Sequence, residues 1–288
     1  MVISTAPVRR AAVSLLGSLL LAGCQTSTPA GPAPKPAASP SSQPASIRPA
    51  ATDPGLTSSQ RLTALADAVT AAPGDGDTGL PYTYLHTQSW SRATNVITRT
   101  DLRQWRRQTD GSGRESTRRL PDLPGVDHQP QRQEQSQLAH ASETTTTYPP
   151  GTLRPYLPEP LPTTARSLAD ALAPRQLAAE SAYPRILVGG IVTLVSSQYL
   201  SRQQRATTLR VLASVPGITY RGLTRGLLGR TGLTFAVAAG GSTIELLVDP
   251  RTGEVLAAQE HLTERLRGLF SYVLILERGH ATSPTAAE

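Results

Sequence analysis

The chain has 288 residues, enough for one or two domains, with 38% hydrophobic residues, 17% charged residues and a net charge of +7. Every basic residue except Lys35 is arginine, and aromatics make up only 4%. The arginines read as scattered and no recognition module accompanies them, which argues against nucleic-acid binding. A basic balance of this kind still suits anionic lipid headgroups or cell-wall polymers.

The N-terminal stretch reads as an export signal. Arg9 and Arg10 form a positive region, and Ala11 to Leu21 form an apolar run too short to span a bilayer, which needs about 20 helical residues. The run ends in Leu21-Ala22-Gly23-Cys24, the pattern of a bacterial lipobox. Small residues before the cysteine admit the extended chain to a signal peptidase, and the thiol of Cys24 is the nucleophile that takes up a diacylglycerol. This predicts a signal peptide over 1–23, lipid attachment at Cys24 (a palmitate-type acyl anchor) and an extracytoplasmic location at the cell membrane. Arg9-Arg10 also invites a twin-arginine reading, but Ala11-Ala12-Val13 match that signal poorly. With no further cysteine, the mature domain must fold without disulfides, and cysteine nucleophiles and cysteine metal clusters are excluded from it.

Residues 24–55 are rich in Pro, Ala, Ser and Thr, a composition that buries too little apolar surface to order itself and that proline biases towards extended conformations. This predicts a disordered tether. A helix is expected from Thr57-Ser58-Ser59, with Leu62, Leu65, Ala66 and Val69 on one face, ending before Pro73. In "PYTYLHTQSWSR", strand alternation puts Tyr82, Tyr84, His86, Gln88 and Trp90 on one face and Thr83, Leu85, Thr87 and Ser89 on the other. Two long strands joined by Asp110-Gly111-Ser112-Gly113 follow, and then a strand within "QLAHASETTTTYPPG".

Residues 163–214 change to helical periodicity in three pieces. "YPRILVGGIVTLVSSQYL" is the most apolar of them, too short for a membrane span and interrupted by Gly189-Gly190. After Gly217, five strand-like runs alternate with Gly-rich turns at meander spacing. The expected fold is therefore α+β: one large curved antiparallel sheet with an N-terminal helix and an inserted helical segment. The domain is expected over 56–278, with a disordered tail over 279–288.

The segments "YTYLHTQSW", "QWRRQTDGSGRESTRRLP", "RVLASVPGI", "GRTGLTFAV" and "LLVDPRTGEVLA" resemble landmarks of an actinobacterial exported lipoprotein family without an assigned activity. Some of its members are encoded near extracytoplasmic sigma factors. These proteins are in turn distantly similar to the half-barrel LolA/RseB-like group of lipoprotein carriers and anti-sigma accessory proteins. The resemblance covers most of residues 57–277, and its motifs are chiefly turns and core strands. The lipobox stands where many such relatives carry a membrane helix or a longer N-terminal region.

No catalytic constellation is visible. The five histidines show no metal-ligand spacing, "GRTG" and "DGSG" read as hairpin turns, Asp249 to Glu254 reads as another turn, and there is no G-x-S-x-G elbow. The chain is expected not to be an enzyme and to need no cofactor. Tyr82, Tyr84, Trp90 and Trp105, with Ile191 and Leu194 of the apolar insert, are the candidate lining of a ligand cavity, although packing beneath the insert explains the aromatics as well. The leading expectation is a hydrophobic ligand (lipid, lipopeptide or lipoprotein segment), carried or sensed. The alternative is an interaction module for an envelope protein, linked to sigma-factor signalling, and an enzyme acting on cell-wall polymer is a distant third. A continuous apolar cavity favours the first reading, and a filled core with an exposed apolar patch favours the second.

Overall fold

The computed structural model describes residues 53–76, 79–92, 97–121, 132–263 and 268–285. The expectations for the signal segment, Cys24 and the tether up to residue 52 lie outside the described residues. The first element is helix α1 (Ser58–Ala71), and its start is chemical. The Thr57 side chain accepts from the Gln60 amide, and the Gln60 side chain accepts from the Thr57 amide, a capping box that satisfies two otherwise orphaned donors.

Nine strands follow: β1 (Tyr82–Arg92), β2 (Ile97–Arg107), β3 (Gly113–Arg119), β4 (Thr144–Tyr148), β5 (Thr219–Arg225), β6 (Thr231–Ala239), β7 (Ser242–Val248), β8 (Val255–Leu262) and β9 (Gly268–Ala281). They form one sheet in the order β4-β3-β2-β1-β9-β8-β7-β6-β5 with every neighbouring pair antiparallel. Two meanders are thus joined by the first and last strands, β1 against β9. The sheet is not closed, and its architecture is that of an α+β half-barrel. Register shifts within the β1–β9, β5–β6, β7–β8 and β8–β9 pairs supply the local bends that curve such a sheet.

The topology explains the helical insert. The chain leaves β4 at one edge and must re-enter at β5, the other edge. At about 4.8 Å per strand the nine-strand order spans roughly 38 Å. Helices α3 (Ala165–Leu172), α4 (Tyr183–Ser197) and α5 (Arg202–Ala213) make that crossing. Together with α1 they cover one face of the sheet. Leu62 and Leu65 of α1, Leu168 of α3, Leu187, Ile191 and Leu194 of α4 and Leu209 of α5 join Leu85, Leu233, Phe235, Leu246 and Ile275 from the strands in the main core.

Three details differ from the sequence reading. Residues Arg132–Ala139 form a short helix, α2, so only Thr144–Tyr148 of the threonine-rich stretch is strand. The final strand continues through Ala281, three residues beyond the expected boundary at 278, because Ala281 pairs with Tyr82 and His280 with Thr83. Helix α4 runs unbroken through Gly189-Gly190. A Cβ on Gly190 would lie 3.0 Å from the Leu172 carbonyl oxygen, so that glycine permits close packing of α3 on α4 rather than local freedom.

The β7–β8 turn is tied to the helices in the same way. Gly253 has φ +68°, and a Cβ there would lie 2.7 Å from Val69 Cγ2 and 2.8 Å from Leu209 Cδ1. Gly253→Ala is expected to lower stability by about 1–3 kcal/mol, from backbone strain and overpacking together. Chemical denaturation measures it, and an unchanged midpoint would contradict this packing.

Candidate functional site

Sheet alternation and the register separate the six candidate residues. Ile191 and Leu194 lie on the helix-covered face, each 0% exposed. Tyr82, Tyr84, Trp90 and Trp105 lie on the opposite face, open in the sense that no residue of a described helix joins its clusters, and the structure forms two smaller clusters there. Tyr82, Tyr84, Trp105 and Ala281 make one, with the Tyr84 and Trp105 rings 5.1 Å apart. Trp90 stacks on Tyr272 at 5.8 Å in the other, beside Leu247, Leu256 and Leu274. The aromatics therefore do not share a cavity with Ile191 and Leu194. They pack against neighbouring strands of the open face, not beneath the helices.

Between the two aromatic clusters is a polar node. His86 Nε2 lies 2.9 Å from Asp101 Oδ1, which also accepts from Gln88 Nε2 at 2.9 Å. Tyr84 Oη donates to Glu277 Oε2 at 3.3 Å. Burial and the Glu277 charge push the Tyr84 hydroxyl up to about 12, so it stays protonated and acts as a donor. Burial raises the Asp101 carboxyl, but the hydrogen bonds from His86 and Gln88 outweigh it, and the net shift is downward from 3.8. A carboxyl depressed on folding stabilises above its unfolded value, and that stabilisation disappears as pH falls through the folded one. Asp101→Asn is accordingly expected to lose stability at neutral pH, with the gap to the parent closing as the pH drops below about 4. Urea titrations at several pH values check this, and a gap that persists into acid would contradict it.

The helix-covered face is largely filled. Toward the β4 edge a hollow of about 550 Å³ is lined by Thr117 and Arg119 of β3, Gln137 and Leu138 of α2 and Thr144 of β4, and a smaller one of about 200 Å³ lies between Gly189 and Val192 of α4 and Ile244, Ala258 and Val273 of the sheet. Glu260 lines it and is paired with Arg185 Nη2 at 2.8 Å. A hollow of about 430 Å³ lies at the β5 end and includes Arg221, Arg225, Thr234, Glu245 and Leu247. Strand β5 and the turn after it carry three exposed leucines: Leu223 at 59%, Leu227 at 41% and Leu228 at 40%. Among the described residues no group of three or more His, Cys, Asp or Glu side chains is placed to hold a metal ion, and no helix is long and apolar enough to cross a membrane.

The arginines, scattered in the sequence, gather in three dimensions. Arg92 of β1, Arg99, Arg103 and Arg107 of β2, and Arg114 and Arg118 of β3 share the open face. The available signal was the even spacing of 99, 103 and 107 and of 114 and 118, which in a strand keeps side chains on one side.

The fold and this face together define a class, a half-barrel with helices packed in its interior and a second sheet face whose side-chain clusters include no residue of a described helix. No family model and no curated protein matches the chain. Similar solved structures are the MucA/MucB complex of Pseudomonas aeruginosa (15% identity, 79% of this chain, 58% of that chain, TM-score 0.30) and a crystal structure of MucB (14%, 77%, 57%, 0.30). A third is MucB in complex with MucA(peri) (16%, 77%, 54%, 0.28). The chain thus spans less than three fifths of the solved chains it matches, and a likeness at this level carries no functional argument.

Proposed function

We propose that this chain is a lipid-anchored extracytoplasmic module that binds an envelope protein at its β5 edge, with no enzymatic step of its own. One observation carries the reading: helices fill much of the interior, while among the described residues β5 pairs with a strand on one side only, its Tyr220 amide donating to Ser58 Oγ, and it carries the exposed Leu223 and runs into the exposed Leu227 and Leu228. An edge strand offers unsatisfied backbone donors and acceptors, and adjacent apolar side chains add area to a pairing segment. Arg221 and Arg225 are exposed there, and among the described residues neither has a carboxylate within 4 Å. The partner segment is therefore extended, apolar and acidic. Membership of the actinobacterial lipoprotein group, and a place in a sigma-factor signalling complex, belong to the same proposal.

A photo-reactive residue in place of Leu227, in the native host, is expected to trap one discrete envelope protein. The same probe at Thr146 of the opposite edge should not, and Leu223→Asp should abolish the adduct. No discrete adduct would overturn the reading. The anchor has its own test: Cys24→Ala is expected to leave the precursor uncleaved there or to release the protein, and unchanged membrane retention and mobility would refute it.

The hollow beside Gly189 supports a second reading, a hydrophobic ligand. At about 200 Å³ it is below the ~300–1,000 Å³ of ordinary ligand sites, so it suits a short apolar group rather than a whole lipid. Mass spectrometry of lipids that co-purify with the protein tests this.

A further inference from the structure

We infer that the open face of β1–β3 is a membrane-apposition surface that rests on anionic phospholipid headgroups. Six arginines, Arg92, Arg99, Arg103, Arg107, Arg114 and Arg118, share this face. The carboxylates near them are already engaged: Asp101 with His86 and Gln88, Glu277 with Tyr84, and Glu143 with Ser116 and Arg103. Among the described residues, only Arg103 of the six has a carboxylate within 4 Å, at 3.7 Å from Glu143. The face therefore carries uncompensated positive charge.

Two of the guanidiniums are also held in place. Arg107 lies 5.1 Å over the Tyr82 ring and donates to its hydroxyl at 2.9 Å. Arg114 lies 5.9 Å over Trp105 and donates to Thr145 Oγ1 at 3.5 Å. Aromatic support fixes a guanidinium at little further entropic cost and leaves N–H groups for phosphate oxygens. Strand geometry spaces the charges about 4.8 Å across the sheet and about 13 Å between every fourth residue along it. That is an array spread over a surface. It fits many phosphates side by side, whereas a single bound anion needs donors that converge.

The choice of a bilayer over another polyanion rests on the anchored reading above. Even at the ~3.1 Å per residue of a fully extended chain, the roughly thirty residues after Cys24 would keep the domain within roughly 90 Å of the headgroups. Apposition through β1–β3 leaves β5, at the far end of the strand order, free for a partner.

The test uses the full chain carrying Cys24→Ser, so that no acyl chain contributes. Flotation with phosphatidylcholine vesicles, with and without phosphatidylglycerol, reads only the increment due to the anionic lipid. The leader, with Arg9 and Arg10, is the same in every variant, so its share of the increment cancels when variants are compared. That increment should be present at low salt and fade as salt screens it. Replacing Arg107, Arg114 and Arg118 by Gln should lower it about 100-fold, at about a kcal/mol per arginine near the surface. Lysine at the same three positions should restore most of it, which guards against misfolding of the Gln variant, and Arg251→Gln on the β7–β8 turn should change nothing. No phosphatidylglycerol increment, or one indifferent to the three arginines, would overturn the proposal. So would binding to soluble polyphosphate without binding to vesicles, which would give the face to a cell-wall polymer. Failure of the anchor test at Cys24 leaves this measurement interpretable, because it is made without the anchor.

Discussion

Glu254→Ala is expected to destabilise the domain by about 3–5 kcal/mol, the usual effect of stranding a buried charge. Glu254 follows the β7–β8 turn, and its Oε1 lies 3.5 Å from Arg278 Nε and 3.8 Å from Arg205 Nη1. Both guanidiniums are deep, with side chains 5% and 8% exposed. Burial pushes the Arg278 guanidinium below its ordinary value, and the Glu254 charge opposes that shift. Arg205 retains Asp75, 2.7 Å away, when Glu254 is removed. Among the described residues Arg278 has no second carboxylate within 4 Å and retains hydrogen bonding, notably to the Val255 carbonyl at 2.6 Å. The loss therefore falls on Arg278. Adding Arg278→Met to the Glu254→Ala chain should recover part of the stability, because the stranded charge is then removed as well. Urea unfolding followed by the fluorescence of Trp90 and Trp105 measures both steps. A single-mutant loss below about 1 kcal/mol, the range of exposed pairs, would mean that water reaches the pair.

This network also shows where sequence reasoning reached its limit. The turn at Asp249 to Glu254 was legible from Pro250 and Gly253, because turn chemistry is local. That Glu254 would meet Arg278 and Arg205 was not, because the three come from a hairpin, the last strand and the helical insert. The same division runs through the fold. Helix α1 was readable to its cap from Thr57 and the Leu62, Leu65, Ala66, Val69 spacing, and the C-terminal meander from its turns. Strand parity in β1 was readable too, since Tyr82, Tyr84 and Trp90 do share a face. Which face the helices would cover depends on long-range pairing, and that placed the aromatics away from Ile191 and Leu194. The open-face arginines were hidden for a further reason. Their alternation is visible within β2 and β3 separately, but only the β1–β2–β3 register makes them one surface.

Ile191→Asp is expected to unfold the domain, and Leu194→Ala to cost about 2–5 kcal/mol. A movable lid over a lipid cavity would give a different result, namely loss of ligand with the strands still folded. The geometry favours unfolding. Ile191 and Leu194 are 0% exposed, in the same core as Phe235, Leu246 and Ile275 of the sheet. Helix α4 is continuous across its glycines, and Gly190 is pressed against Leu172 of α3, so α4 cannot swing out without leaving α3. The hollow beside α4 is lined by Gly189 and Val192 and not by Ile191 or Leu194, so a carboxylate at 191 starts in the core and not in that space. A buried, unpaired carboxylate costs several kcal/mol, a large part of the 5–15 kcal/mol that holds an ordinary domain together. Circular dichroism melts and limited proteolysis decide between the outcomes. A cooperative transition retained in Ile191→Asp, with co-purifying lipid lost, would make α4 a lid and return the carriage reading to first place. Loss of the transition, in a parent that carries no lipid, leaves α4 as core and the β5 edge as the place to look for the partner.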